Sequence, residues 1–207
     1  MAEEAVQIAV EQGVSLEGRY TPGAGAGAAL VLHPHPQYGG SMYNNVVEAL
    51  VEAAAGAGWA GLRFNFRGVG LSTGSFDQGR GERADALAAA GWLLERAGGP
   101  LALLGYSFGS LVGARAAARA PELAGGLWVA PPLVLGELPP WPEGAGPLLM
   151  LAGTADAFTD LGALERYAQG LGARGRLVTL PGADHFLWGL ESALTDKAQG
   201  FLQGLEG

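Results

Sequence analysis

The chain has 207 residues, 49% of them apolar and 15% charged, a balance that supports a single folded domain and excludes a disordered, highly charged chain. A formal net charge of -8 disfavours phosphate backbones and anionic membrane surfaces, whose binding depends on Lys and Arg. Cysteine is absent, which removes disulfides, thiolate metal sites and a thiol nucleophile.

The N-terminus, Met1-Ala2-Glu3-Glu4, is acidic where a secretory signal requires basic residues before an apolar run. No stretch approaches the ~18 uninterrupted apolar residues of a membrane span, so a cytoplasmic protein is expected. Residues 5–10 and 14–20 favour strands on either side of Gln12-Gly13, which predicts a hairpin flanking the main sheet. The Gly/Ala tract 23–29 reads as a surface turn, because a strand follows it where a phosphate loop needs a helix.

Strands are then expected over 28–32, 60–66, 101–105, 127–129, 148–152 and 176–180. Helices are expected over 44–57, 82–96, 108–120, 161–171 and around 194–205. Alternation of short apolar strands with helices predicts an α/β fold with a mostly parallel, doubly wound sheet, whose functional loops gather at the carboxyl ends of the strands.

The segment after strand 101–105 is Gly105-Tyr106-Ser107-Phe108-Gly109, a G-x-S-x-G turn between an apolar strand and an apolar helix. This is the context of a nucleophile elbow, in which tight glycine-flanked geometry lifts a serine hydroxyl out of the sheet. Gly70-Leu71-Ser72-Thr73-Gly74 matches the same pattern, but no helical periodicity follows it, so Ser72 is read as part of a structural loop. Ser107 is the candidate nucleophile.

Where such an elbow operates, the chain order is serine, acid, histidine, and of His33, His35 and His185 only His185 follows Ser107. His185 sits in a loop just past strand 176–180, as a general base at that sheet edge would. Among the later aspartates, Asp184 adjoins His185 too closely and Asp196 falls in the terminal helix. Asp156, in a loop after strand 148–152, is the favoured orienter of the base, with Asp160 as its rival and as a possible cap of the next helix.

Acyl transfer also needs hydrogen-bond donors at the developing oxyanion. The amide of Phe108 at the helix start is the first candidate. The second is sought in His33-Pro34-His35-Pro36-Gln37-Tyr38, where the prolines lack an N–H; Gln37 is favoured, with His35 and Tyr38 as alternatives. The His33/His35 pair has a spacing that can bind metal, yet no carboxylate cluster accompanies it, so no metal and no cofactor are expected and a structural role in pinning the loop is preferred. Arg67 is expected to pair with a buried carboxylate such as Asp85.

Taken together, HPHP-x-x-GGSM (33–42), LRFNFRGVG-x-S-x-G-x-FD (62–77), GE-x-x-D (81–85) and GYSFG (105–109) resemble the bacterial α/β-hydrolase superfamily, and within it a small branch carrying these motifs. The resemblance spans nearly the whole chain. It implies a core of about eight strands and places a catalytic triad on Ser107, Asp156 and His185. The acid loop departs from the family pattern, with Ala157-Phe158 where a Val-Pro-like pair is usual. Many relatives carry a helical lid at a position where this chain has only the proline-rich residues 130–147, which implies a lidless, open site. The expected function is hydrolysis of a small-molecule carboxylic ester or related acyl bond through an acyl-enzyme. The alternative is a catalytically silent scaffold that keeps the fold as a binding module.

Overall fold

The computed structural model describes residues 3–120 and 123–205. Its centre is an eight-stranded sheet with the order β1-β2-β4-β3-β5-β6-β7-β8. The strands are β1 (Glu4–Ala9), β2 (Ser15–Thr21), β3 (Ala28–Leu32), β4 (Ala60–Phe64), β5 (Leu101–Tyr106), β6 (Leu123–Val129), β7 (Leu148–Gly153) and β8 (Gly175–Leu180). β1 and β2 form the expected hairpin, and β2 continues antiparallel onto β4, so the hairpin extends the main sheet. All pairings from β4 through β8 are parallel.

The helices are α1 (Asn45–Gly56), α2 (Arg80–Ala97), α3 (Phe108–Ala117), α4 (Leu161–Gly170) and α5 (Glu191–Gln203). Alternate residues of each central strand serve opposite layers, as the two-residue strand period requires. Leu30 and Leu32 of β3, with Leu101 and Leu103 of β5, pack with residues of α2 and α3. Ala29, Val31, Ala102 and Leu104 point the other way into the layer holding α1 and α5. Helices on both faces explain why these strands are apolar throughout rather than alternating. No helix among the described residues is long and apolar enough to cross a membrane.

The element boundaries differ from the sequence expectation where polar or small residues intervene. β6 starts at Leu123 rather than at 127, passing through Gly125-Gly126. These glycines permit close approach: a β-carbon on Gly126 would lie 2.6 Å from the Trp141 ring, and one on Gly125 2.9 Å from the Pro147 carbonyl. β4 stops at Phe64, two residues early, because Asn65 and Phe66 leave the sheet to bond the loops above it. α2 begins two residues before the expected 82, where the Glu82 carboxylate accepts the amides of Asp77 and Gly79.

Candidate active site

Ser107 joins β5 to α3 with φ 52° and ψ -123°, a conformation rarely populated by a residue with a side chain. The surrounding bonds hold it there: its amide donates to the Val129 carbonyl at 2.9 Å, and its own carbonyl accepts the Ser110 hydroxyl at 2.5 Å. The flanking glycines are sterically required. A β-carbon on Gly109 would sit 2.3 Å from the Leu32 carbonyl oxygen, and one on Gly105 would sit 2.6 Å from that of Gly109.

From this bend the Ser107 Oγ lies 2.9 Å from His185 Nε2. His185 Nδ1 lies 2.8 Å from Asp156 Oδ2. An ionised carboxylate only accepts, so Nδ1 carries the ring proton and Nε2 is left to accept the serine hydroxyl. Asp156 is anchored in turn, Oδ1 accepting the Phe158 amide at 2.8 Å and Oδ2 the Thr159 hydroxyl at 3.1 Å. Burial pushes the Asp156 carboxyl up, but hydrogen bonds from His185, Phe158 and Thr159 outweigh it and hold the group below the usual carboxylate range. All three side chains are largely buried, so their contacts lie at low local dielectric. Asp160 does not join it; its side chain caps α4 by accepting the Ala163 amide at 2.9 Å.

Tyr106 belongs to this arrangement although the sequence gives it no distinguishing mark. It occupies the variable position before Ser107, and its hydroxyl donates to the His185 carbonyl at 3.0 Å, tying the histidine loop to β5. Burial pushes its phenol well above the ordinary range, so it stays a donor. Phe158 lies against the imidazole with a ring separation of 4.7 Å, occupying the departure from the family pattern in the acid loop.

The loop after β3 faces this relay from the other side. His33 is fully buried; Nε2 accepts the Phe66 amide at 3.0 Å and Nδ1 donates to the Pro34 carbonyl at 2.6 Å. Both ring nitrogens are therefore committed to the backbone. His35 caps the short 3-10 turn Pro36–Tyr38, its Nδ1 accepting the Gln37 amide at 3.2 Å, while the Tyr38 amide donates to the His35 carbonyl. Gln37, favoured from sequence as an oxyanion donor, thus has its N–H engaged by a neighbouring ring. The amides of His35 and Phe108 have no intramolecular acceptor among the described residues, and the two residues are close, with ring centroids 4.8 Å apart. Arg67 makes the expected pair with buried Asp85, at 2.7 Å from Nη2 to Oδ1, fixing the loop after β4.

The fold and this relay together define an α/β protein with a serine, a histidine and an aspartate aligned at the carboxyl edge of a parallel sheet. Residues 30–132 match the alpha/beta hydrolase fold family. A protein from Agrobacterium tumefaciens, described as an alpha/beta hydrolase of unknown function, is 33% identical with a TM-score of 0.87, over 96% of this chain and 94% of that one. A serine hydrolase without a lid from Xanthomonas campestris is 30% identical with a TM-score of 0.83, over 99% and 94% respectively. An uncharacterised protein of Rickettsia prowazekii is 44% identical over 124 residues, or 57% of this chain, which spans about half (51%) of that relative's length. The chain belongs to the alpha/beta hydrolase family.

Among the described residues no helical lid lies between β6 and β7, where residues 130–147 contain only one 3-10 turn, Leu133–Leu135, and the Xanthomonas structure is likewise described as lidless.

Proposed function

We propose that the protein is a serine hydrolase that cleaves carboxylic esters or related acyl bonds through an acyl-enzyme, with Ser107, His185 and Asp156 as its triad. The observation that carries this reading is the continuous relay from Ser107 Oγ through His185 to Asp156, with 2.9 and 2.8 Å contacts.

In the first half-reaction Ser107 Oγ bonds to the carbonyl carbon as its proton passes to His185 Nε2. Asp156 stabilises the imidazolium so formed. The oxyanion is received by the Phe108 amide and by the His35 amide, since those of Gln37 and Tyr38 are already engaged. Each such donor is worth about 3 to 4 kcal/mol in the transition state. The bond to the leaving alkoxide then breaks, and the alcohol departs with the proton from Nε2. Water attacks the acyl-serine, gives its proton to His185, and that proton returns to Ser107 Oγ as the acid leaves. No cofactor enters these steps. The short connection over 130–147 supports small or exposed acyl groups as substrates.

A fluorophosphonate probe combined with an ester and thioester panel tests the proposal. Wild type should be labelled at Ser107 and turn over short esters, and Ser107→Ala should lose both. A folded wild type that is neither labelled nor active would refute the proposal in favour of a binding scaffold.

A further inference from the structure

We propose that Arg115 recognises an anionic group on the substrate, so that the preferred substrates are monoesters of short dicarboxylic acids. This rests on the acyl-transfer reading of Ser107 and names the substrate class for it.

Arg115 lies on α3, the helix that Ser107 begins. Eight residues correspond to a rise of about 12 Å, and a helical side chain leans back toward the N-terminus, which shortens the distance from guanidinium to serine. Arg115 is seven residues from Phe108, two turns along the same helix face. The guanidinium lies beside two glycines. A β-carbon on Gly79 would lie 2.8 Å from Arg115 Nη1 and 3.8 Å from the Phe108 ring, so cation and ring share the space next to Gly79. A β-carbon on Gly136 would lie 3.1 Å from Nη2. Gly136 closes the short turn whose Val134 amide donates to the Phe158 carbonyl, and Phe158 packs on His185. The guanidinium therefore lies between Gly79, next to the Phe108 ring, and Gly136 of the β6–β7 connection.

This arginine is half-buried and has no hydrogen-bond or ion-pair partner among the described residues. Arg63, Arg67, Arg80 and Arg96 have carboxylate partners, whereas Arg83, also half-buried, has none among the described residues, so it is the position beside the Phe108 ring together with the open donors that singles out Arg115. Acidic residues outnumber basic ones, 20 to 12, so the lack of a partner at Arg115 is not a shortage of acids in the chain. A planar donor fork with its N–H groups unused is suited to a carboxylate. The overall charge of -8 gives no long-range attraction for an anion, so recognition must come from this local contact.

The experiment compares kcat/KM for the p-nitrophenyl monoester of glutarate with that for the p-nitrophenyl ester of pentanoate, an uncharged acyl chain of equal length. Wild type should favour the anionic ester by about 10-fold, the scale of one charge-assisted contact. Arg115→Met should abolish that ratio and Arg115→Lys should retain part of it. The ratio is insensitive to a general loss of folded protein, because both substrates would suffer alike. A wild-type ratio near one, or a ratio unchanged in Arg115→Met, overturns the anion proposal while Ser107-dependent turnover of pentanoate leaves the acyl-transfer reading standing. Absence of turnover with either ester, together with absence of probe labelling, overturns both.

Discussion

Two regions at the carboxyl edge of the sheet contain the same ingredients, a serine in a G-x-S-x-G turn and a buried histidine, and use them in opposite ways. Around Gly70–Gly74 the polar atoms are tied to the backbone: Ser72 donates to the Asn65 carbonyl at 2.6 Å and accepts the Glu17 amide at 2.9 Å, and His33 holds Phe66 and Pro34. Around Gly105–Gly109 the bonds run from side chain to side chain, Ser107 to His185 to Asp156, and start at a strained serine. In the first region the polar side chains are committed to backbone groups; in the second the serine hydroxyl faces an imidazole nitrogen, the arrangement that the proposed function requires. Residue type and spacing do not separate the two. The backbone angle at the serine and the partners of the histidine do.

Three experiments test this contrast. Asp156→Asn should leave the Ser107–His185 contact but let the imidazole adopt the wrong tautomer, lowering kcat by about 10⁴-fold with KM little changed. Steady-state ester hydrolysis measures it, and a loss below 10-fold would remove Asp156 from the relay.

The second concerns His33, which burial pushes down to about 4 from an ordinary 6.5. Between these values the unfolded chain binds the proton and the folded one does not. Stability from this group is thus complete above pH ~6.5 and declines by about 3 kcal/mol as pH falls toward ~4. Urea denaturation at pH 7 and 4.5 should show this decline in wild type and a smaller one in His33→Gln; equal declines would contradict it.

The smallest effect belongs to Ser72→Ala, which leaves the Asn65 carbonyl and the Glu17 amide without their hydroxyl partner. It should cost about 1–2 kcal/mol of unfolding free energy and leave kcat within about 2-fold. A kinetic loss comparable to that of Ser107→Ala would erase the distinction between the two turns.

Much of this could be read from the chain because the local signals agree with the global fold. Apolar strands, periodic helices and a glycine-flanked serine ahead of a helix mark the sheet and the bend, and the Arg67–Asp85 pair follows from charge and position. What escaped has physical causes. The start of β6 is hidden by glycines needed for tertiary contact with Trp141 and Pro147. The choice among the His35, Gln37 and Tyr38 amides, left open by the sequence, turns on the His35 ring engaging the Gln37 amide, a rotamer-level event with no periodic trace. Tyr106 acts through a contact 79 residues away, and nothing in its neighbourhood marks that partner.

The brevity of the stretch joining β6 to β7 also bears on the second half of turnover. On the proposed acyl-transfer reading, bulk solvent would meet an acylated Ser107 directly, so deacylation would draw on water at full concentration. An added alcohol would have to compete with that supply, so the proposed mechanism predicts poor transesterification in dilute aqueous buffer.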